Sequence, residues 1–234
     1  SRGYGRSYLL KSESESAHAM GLYHAWCKTK GVTNLRYHTD NATVFVGAVG
    51  ATCRTKAAAL GAHFTTISPN VPRQNGLSEH DWSVLGGDVR AMCAAGKLPR
   101  SMAWYCWQQA EEVAACIPFK DDPDNCQYSL FHGGVKPHVA KYRPPGCLCY
   151  VKIIKNNPNK EQEQAVRAIH LCRARDQPGY CCLDPESGRI YVTPHVRFVE
   201  DEFPGITMSA GGSERVVPSF ADDYDPNKTR VDSD

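Results

Sequence analysis

No apolar run in the 234 residues approaches the roughly 20 needed to cross a bilayer. The opening SRGYGRSYLLKSESES lacks the long apolar stretch and cleavage site of a secretory signal, and it lacks an initiator Met. It reads as the edge of a strand in a piece cut from a longer polypeptide. No period of solenoid length repeats along the chain. An excess of charge of either sign is missing: the net charge is +2, so bulk charge neither supports nor excludes nucleic acid. Cysteine is plentiful, but the pairings that give it chemistry are missing. There are 11 cysteines, an odd number, with no Cys-x-x-Cys. The tightest groupings are Cys147-Leu148-Cys149 and the adjacent Cys181-Cys182. A structural zinc site needs paired ligands about two to four residues apart, and a secreted disulfide framework needs a signal and an even count. Free thiols in a reducing compartment are the expectation. The balance of 41% hydrophobic and 22% charged residues is that of a globular chain with a sizeable core.

Strands alternating with helices predict an α/β layer fold over the first half. Arg6–Leu10 reads as a short strand. Ser12 or Ser14 caps a helix with glutamates in its first turn, running to about Lys30. Ala19, Leu22, Tyr23 and Trp26 recur at helical spacing as its buried face, and Gly31 stops it. VTNLRYH is a strand ending at Thr39-Asp40. An alanine-rich helix follows over about Ala48–Leu60, with Arg54 and Lys56 exposed, and Gly61 ends it. HFTTI is another strand, SPNVPRQNG a loop, and Leu77–Ala95 a helix broken near Gly86-Gly87. A last helix covers about Ser101–Cys116, where Trp104 and Trp107 are expected to pack in the core. Residues 119–146 read as a linker by composition. Short β runs then occupy CLCYVKII, AVRAIHL, GYCCLD and RIYVTPHVRFVE, with a hairpin turn at Asp184–Gly188. Residues 204–234 are polar and acidic, and read as a disordered tail.

Asp40 falls at the carboxyl end of a predicted strand, where open α/β sheets bind ligands. Glu79 opens a predicted helix 39 positions on. Two converging carboxylates suit Mg²⁺ or Mn²⁺, which prefer oxygen ligands, and a metal pair about 3.5–4 Å apart can drive an in-line phosphoryl displacement. The spacing alone is weakly specific. Asp40 within Thr-Asp-Asn also suits a turn, and Glu79 also suits a helix's first turn. His38 shares the sheet face of Asp40 by alternation, but it is read as a packed or hydrogen-bonded histidine rather than a ligand.

The surrounding motifs add more. SRGYGRSYLLKSESES, LRYHTDNATVF, SPNVPRQNGLSEHDW and DVRAMCAAGKLPRSMAWYCWQQAEEVAACIP follow one another as in the integrases of copia-type retrotransposons. SLFHGGVKPHVAKYRPPGCLCYV and GYCCLDPESGRIYVTPHVRFVEDEFP continue that resemblance to about residue 204. It implies a ribonuclease-H-like integrase core at residues 1–118 with its first strands missing, a linker at 119–146 and a small β unit at 147–203. It implies metal-dependent strand transfer joining element DNA to target DNA, with Asp40 and Glu79 as the second and third of three catalytic, metal-holding carboxylates. Mg²⁺ or Mn²⁺ is the implied cofactor. The implied partners are DNA and, for the intact protein, further copies of itself, with no membrane. Arg73, Gln74 and Asn75 are implied to touch DNA, which suits their hydrogen-bonding chemistry. They also suit a plain solvated turn. Nuclear or cytoplasmic location follows from the function alone, since no dense Lys/Arg cluster marks import.

The chain departs from that pattern at several points. The strand with the first Asp is expected to lie before Ser1, so the chain by itself is expected to be inactive. Ala42 stands where the family has glycine. His80, Asp81, Trp82 and Ser83 follow Glu79 where basic residues would lie near phosphates. These departures suggest a decaying or divergent copy. The rival readings are a catalytically dead nucleic-acid-binding remnant, and an interaction module that uses the β unit as its surface.

Overall fold

The computed structural model describes residues 4–32, 35–39, 47–66, 76–152 and 164–206. The chain divides into two compact units: Tyr8–Asn75 with Met208–Asp234, and Ser1–Ser7 with Gly76–Thr207. This division falls near residue 75, not at the expected boundary near 118.

In the unit of Tyr8–Asn75, α1 spans Ser16–Thr29 after a 3₁₀ turn at Glu13–Glu15. Neither Ser12 nor Ser14 caps it. Their hydroxyls bond each other at 2.6 Å, and the Glu15 carboxylate reaches back to the Lys11 N–H at 2.9 Å. The expected buried face is also displaced. Ala17, Ala19, His24 and Cys27 are buried, while Tyr23 and Trp26 pack on each other half-buried with ring centres 5.6 Å apart. The helix ends as expected at Gly31, whose left-handed φ of 79° lets the Gly31 and Val32 N–H groups bond Lys28 O and Cys27 O. β1 (Arg36–Thr39), α2 (Ala48–Ala59) and β2 (His63–Thr66) follow. The two strands are parallel, pairing Arg36 with His63 through Thr39 with Thr66. A helix between parallel neighbours is the βαβ solution to their connection. α2 buries Gly50, Cys53 and Ala57, a narrow small-residue stripe, and packs on α1.

In the unit of Gly76–Thr207, α3 (Gly76–Ala95) runs without the break expected at Gly86-Gly87. Packing overrides the weak local propensity of two glycines: Gly86 lies beside the Trp107 ring and the Arg90 guanidinium. α3 ends in a left-handed turn made by Lys97 (φ 51°) rather than by a glycine. α4 (Ala103–Ala115) packs on α3. Residues 119–146, expected as a linker, carry structure: β3 (Pro118–Phe119) and β4 (Asp122–Cys126) form a hairpin, and α5 (Gln127–Phe131) follows. The Cys126 thiol and the Ser129 hydroxyl cap α5 reciprocally.

A five-stranded antiparallel sheet completes this unit: β5 (Leu148–Lys152), β6 (Ala165–Arg173), β7 (Tyr180–Leu183), β8 (Ile190–Thr193) and β9 (Val196–Val199). Its spatial order is β8-β7-β6-β5-β9. The run RIYVTPHVRFVE, which reads as one β segment, is thus split at Pro194-His195 and sends its halves to opposite edges. A bulge at Leu171 sets Cys172 opposite Cys181 while His170 stays opposite Cys182. Two consecutive residues, Leu171 and Cys172, then both join the helix-side core with Ile169, Tyr105, Cys106 and Leu183. The other sheet face buries Cys149, Val151, Ala168 and Cys182. Gly96 and Gly146 let two backbone segments meet, since a Cβ on either would collide with the other segment's main chain.

All 11 cysteines are free thiols and all but Cys93 are buried, so they act as small core residues. Arg6–Leu10, read as a strand, joins no sheet among the described residues. Side chains satisfy the backbone of Ser7 instead: Glu111 accepts its N–H at 2.9 Å, and Arg175 donates to its carbonyl at 2.9 Å.

Candidate active site and its surroundings

Asp40, Arg73, Gln74 and Asn75 lie outside the described residues. The chain on either side of them is described. β1 brings the backbone to Thr39, one residue before Asp40, and β2 closes at Thr66. Gly76, immediately after Asn75, is the first residue of α3. Glu79 is exposed in the first turn of that helix, as the sequence leads one to expect. A carboxylate there faces the positive end of the helix dipole. Glu79 belongs to the unit of Gly76–Thr207 and β1 to the other unit.

Around Glu79 the helix surface is acidic and aromatic rather than basic. Asp81 is half-buried, His80 is exposed and Trp82 is 61% exposed. Trp82 stacks on Trp107 with ring centres 4.8 Å apart and planes 30° apart. Trp107 is thus half core residue and half platform, and its indole N–H donates to the Ser7 hydroxyl at 2.8 Å. Trp104 packs against the same core, as expected. His38 bonds the Thr65 hydroxyl at 2.9 Å across the parallel pair, in keeping with a hydrogen-bonded histidine. Arg54 and Lys56 are exposed on α2. Among the described residues no group of three or more His, Cys, Asp and Glu could hold a metal ion. The oxygen-only donors Asp40 and Glu79 fit a hard divalent cation by their chemistry, and a soft metal poorly.

Sequence reasoning missed the polar centre of this unit. Arg175 lies 2.6 Å from Glu111 and 3.6 Å from Glu112, with its side chain only 8% exposed. Arg173 adds a second contact to Glu112 at 3.6 Å. Burial raises the Glu112 carboxyl above its usual range, while Arg175 and Arg173 pull it back. Glu111 also accepts from the Ser7 hydroxyl. Tyr4 stacks on Phe131 at 4.5 Å, and Arg6 pairs with Asp176 at 2.6 Å. The cluster fastens residues 4–7 to α4, α5 and the turn after β6. No local pattern signals it, because its partners lie 61 to 170 positions apart.

Two buried histidines are a second feature the sequence left silent. His24 approaches the Tyr37 hydroxyl at 3.3 Å, and burial lowers its pKa. His170 is fully buried between Tyr180 and Phe198, and its Nδ1 donates to Pro144 O at 3.1 Å. Burial lowers the His170 pKa to about 4.

Comparison with known proteins bears on the whole chain. Residues 147–210 match the family model of the retroviral polymerase SH3-like domain. That span contains all of β5–β9. The retrovirus-related Pol polyprotein from transposon RE1 of Arabidopsis thaliana is 27% identical over 148 residues, 62% of this chain and 10% of the relative. The corresponding polyprotein from transposon RE2 of the same plant is 24% identical over 209 residues, 88% of this chain and 14% of the relative. The chain therefore spans between a tenth and a seventh of the length of the curated relatives it matches. A cryoEM structure of the simian T-cell lymphotropic virus intasome, in complex with the PP2A regulatory subunit B56 gamma, is 14% identical with a TM-score of 0.41. That match covers 86% of this chain and 66% of the other, and at that score it does not establish a shared fold.

Proposed function

Starting from a chain related to the Pol polyproteins of copia-type retrotransposons, we propose that it serves DNA integration: metal-dependent strand transfer that joins element DNA to target DNA. Asp40 and Glu79 are the proposed metal-holding carboxylates, with Mg²⁺ or Mn²⁺ supplying Lewis-acid stabilisation of the displaced phosphate oxygens. Arg73, Gln74 and Asn75 are the proposed DNA-positioning residues, through phosphate contacts.

The observation that carries the reading is the β1–α2–β2 unit. Its first strand ends one residue before Asp40, and its second leads through 67–75 to the helix that carries Glu79. A helix-linked parallel pair is also what a ribonuclease-H-like core would contribute here. The relationship to retrotransposon Pol supports the same reading.

A second reading has its own support. Asp81 and Trp82 beside Glu79 add negative charge and an exposed ring where a DNA-facing helix gains from cations. They weaken phosphate contact at this helix and so favour a remnant without catalysis, whose nucleic-acid binding would have to come from elsewhere in the chain.

Mn²⁺ titration of the chain, followed by calorimetry, tests the first reading. Asp40→Asn and Glu79→Gln are each expected to weaken Mn²⁺ binding by roughly ten-fold or more. Equal Mn²⁺ binding by parent and both variants would sink the metal assignment. DNA binding that ignores Mn²⁺ would then leave the second reading in place.

A further inference from the structure

Antiparallel pairing sets Tyr150 of β5 directly opposite Arg167 of β6 on one side and Arg197 of β9 on the other. The three side chains form one row across three strands, because directly opposed residues share a sheet face. Lys152, two positions along β5, lies on the same face. All four are exposed, Tyr150 by 39%. One step back along β5, Leu148 and its partner Ile169 are buried on this face, Ile169 in the core beneath α4. The row therefore begins where the helix cover of the sheet ends. None of Arg167, Arg197 and Lys152 joins an ion pair among the described residues, whereas Arg143, Arg173 and Arg175 of the same unit all do.

We propose that this row binds a single-stranded stretch of nucleic acid, with one base stacked on Tyr150 and the flanking phosphates held by Arg167, Arg197 and Lys152. The inference does not depend on Asp40 or Glu79. Three cations on one sheet face, with no ion pair among the described residues, call for a polyanion. The central aromatic ring selects among polyanions, since a ring at the middle of a sheet face can stack only on a base that has left its duplex. The Cα atoms of Arg167 and Arg197 sit about two strand spacings apart, roughly 10 Å. Two long side chains therefore flank the ring and can reach phosphates on either side of the stacked base. A rigid duplex would present its phosphates to the cations but leave the ring unused. Stacking and phosphate contact do not read the 2′-hydroxyl, so DNA and RNA strands are expected to bind alike.

Fluorescence anisotropy with a fluorescein-labelled single-stranded DNA of mixed sequence tests the proposal, with EDTA present so that metal plays no part. The RNA of the same sequence, the DNA duplex and heparin are the comparison ligands. The full chain is expected to bind both single strands more tightly than the duplex. Tyr150→Ala should weaken single-strand binding roughly ten-fold, with heparin unaffected and Tyr150→Phe close to the parent. Arg167→Ala with Arg197→Ala should weaken every ligand and reduce the single-strand salt slope by about 0.7 for each phosphate no longer neutralised. Tyr150→Ala should leave the Mn²⁺ titration unchanged, which separates this outcome from that of the metal test. Circular dichroism of each variant confirms that the fold is kept. No binding by the parent chain overturns the proposal, as does tighter binding of duplex. Equal binding by Tyr150→Ala overturns it too, reducing the row to a charged patch without stacking.

Discussion

The two units are built on different kinds of core. In Gly76–Thr207 the sheet buries Ile169, Leu171, Leu183 and Val151 on its two faces, and α3 and α4 cover one of them. In Tyr8–Asn75 the buried apolar residues of the described segments are small: Ala17, Ala19, Cys27, Cys53, Ala57 and Ala62. Burial of apolar area stabilises by about 25 cal/mol per Å². A core of alanine and cysteine side chains therefore has less to draw on than one of leucine and isoleucine. Among the described residues, the unit that leads to Asp40 has the lighter core and the unit with the SH3-like match the heavier one.

Breaking the polar centre of the heavy unit should have the largest effect. Arg175→Ala leaves Glu111 and Glu112 buried without their main cation. A loss of about 3–5 kcal/mol is expected in chemical denaturation. A loss below about 1 kcal/mol would show that the cluster relaxes into water.

His170 sharpens the comparison through pH. Its pKa in the fold is about 4 against an ordinary value of 6.5. Between those two values the unfolded chain takes up a proton that the folded chain refuses, so stability falls as pH drops through that window. The loss is complete below the folded value, at about 3 kcal/mol. His170→Phe should flatten this acid dependence in denaturation curves measured from neutral to acid pH. An unchanged slope would reassign the acid sensitivity. His24, buried in the other unit, titrates in the same direction.

Within the light unit, Ala57→Leu inserts a branched side chain at a fully buried position of α2. It should cost about 1–3 kcal/mol by overpacking. Hydrogen exchange should quicken in α1 and α2 while β6 and β7 keep their protection. Equal quickening in both units would show that they unfold together. The smallest change is a gain. Lys97→Gly removes a side chain from a left-handed position, worth about 1 kcal/mol of stability. A thermal melt shifted upward checks it.

Several features of the fold were legible in the sequence for local reasons. Gly31 and Gly61 end α1 and α2, and β1 closes one residue before Asp40. Glu79 sits exposed in its helix's first turn. Each depends on dihedral preference or side-chain period within a few residues. Other readings missed because the deciding partner is distant. α3 runs through Gly86-Gly87 because Trp107 packs beside it. Composition made 119–146 look like a linker, yet Phe131 there holds Tyr4. The buried face of α1 was misjudged because His24 counts as polar until Tyr37 is placed beside it.

By itself the sequence determined the thiol state, the order of helices and strands from Ser16 to Ala115, the resemblance to copia-type integrases and the candidate carboxylates. These rest on spacing, composition and motif order, which survive in one dimension. Only the tertiary structure decided which strands lie side by side, and so that Arg167, Tyr150 and Arg197 share one row. It alone decided that Arg175 and Glu111 meet across 64 positions. Register and burial arise from pairings between distant segments, and no local propensity encodes them.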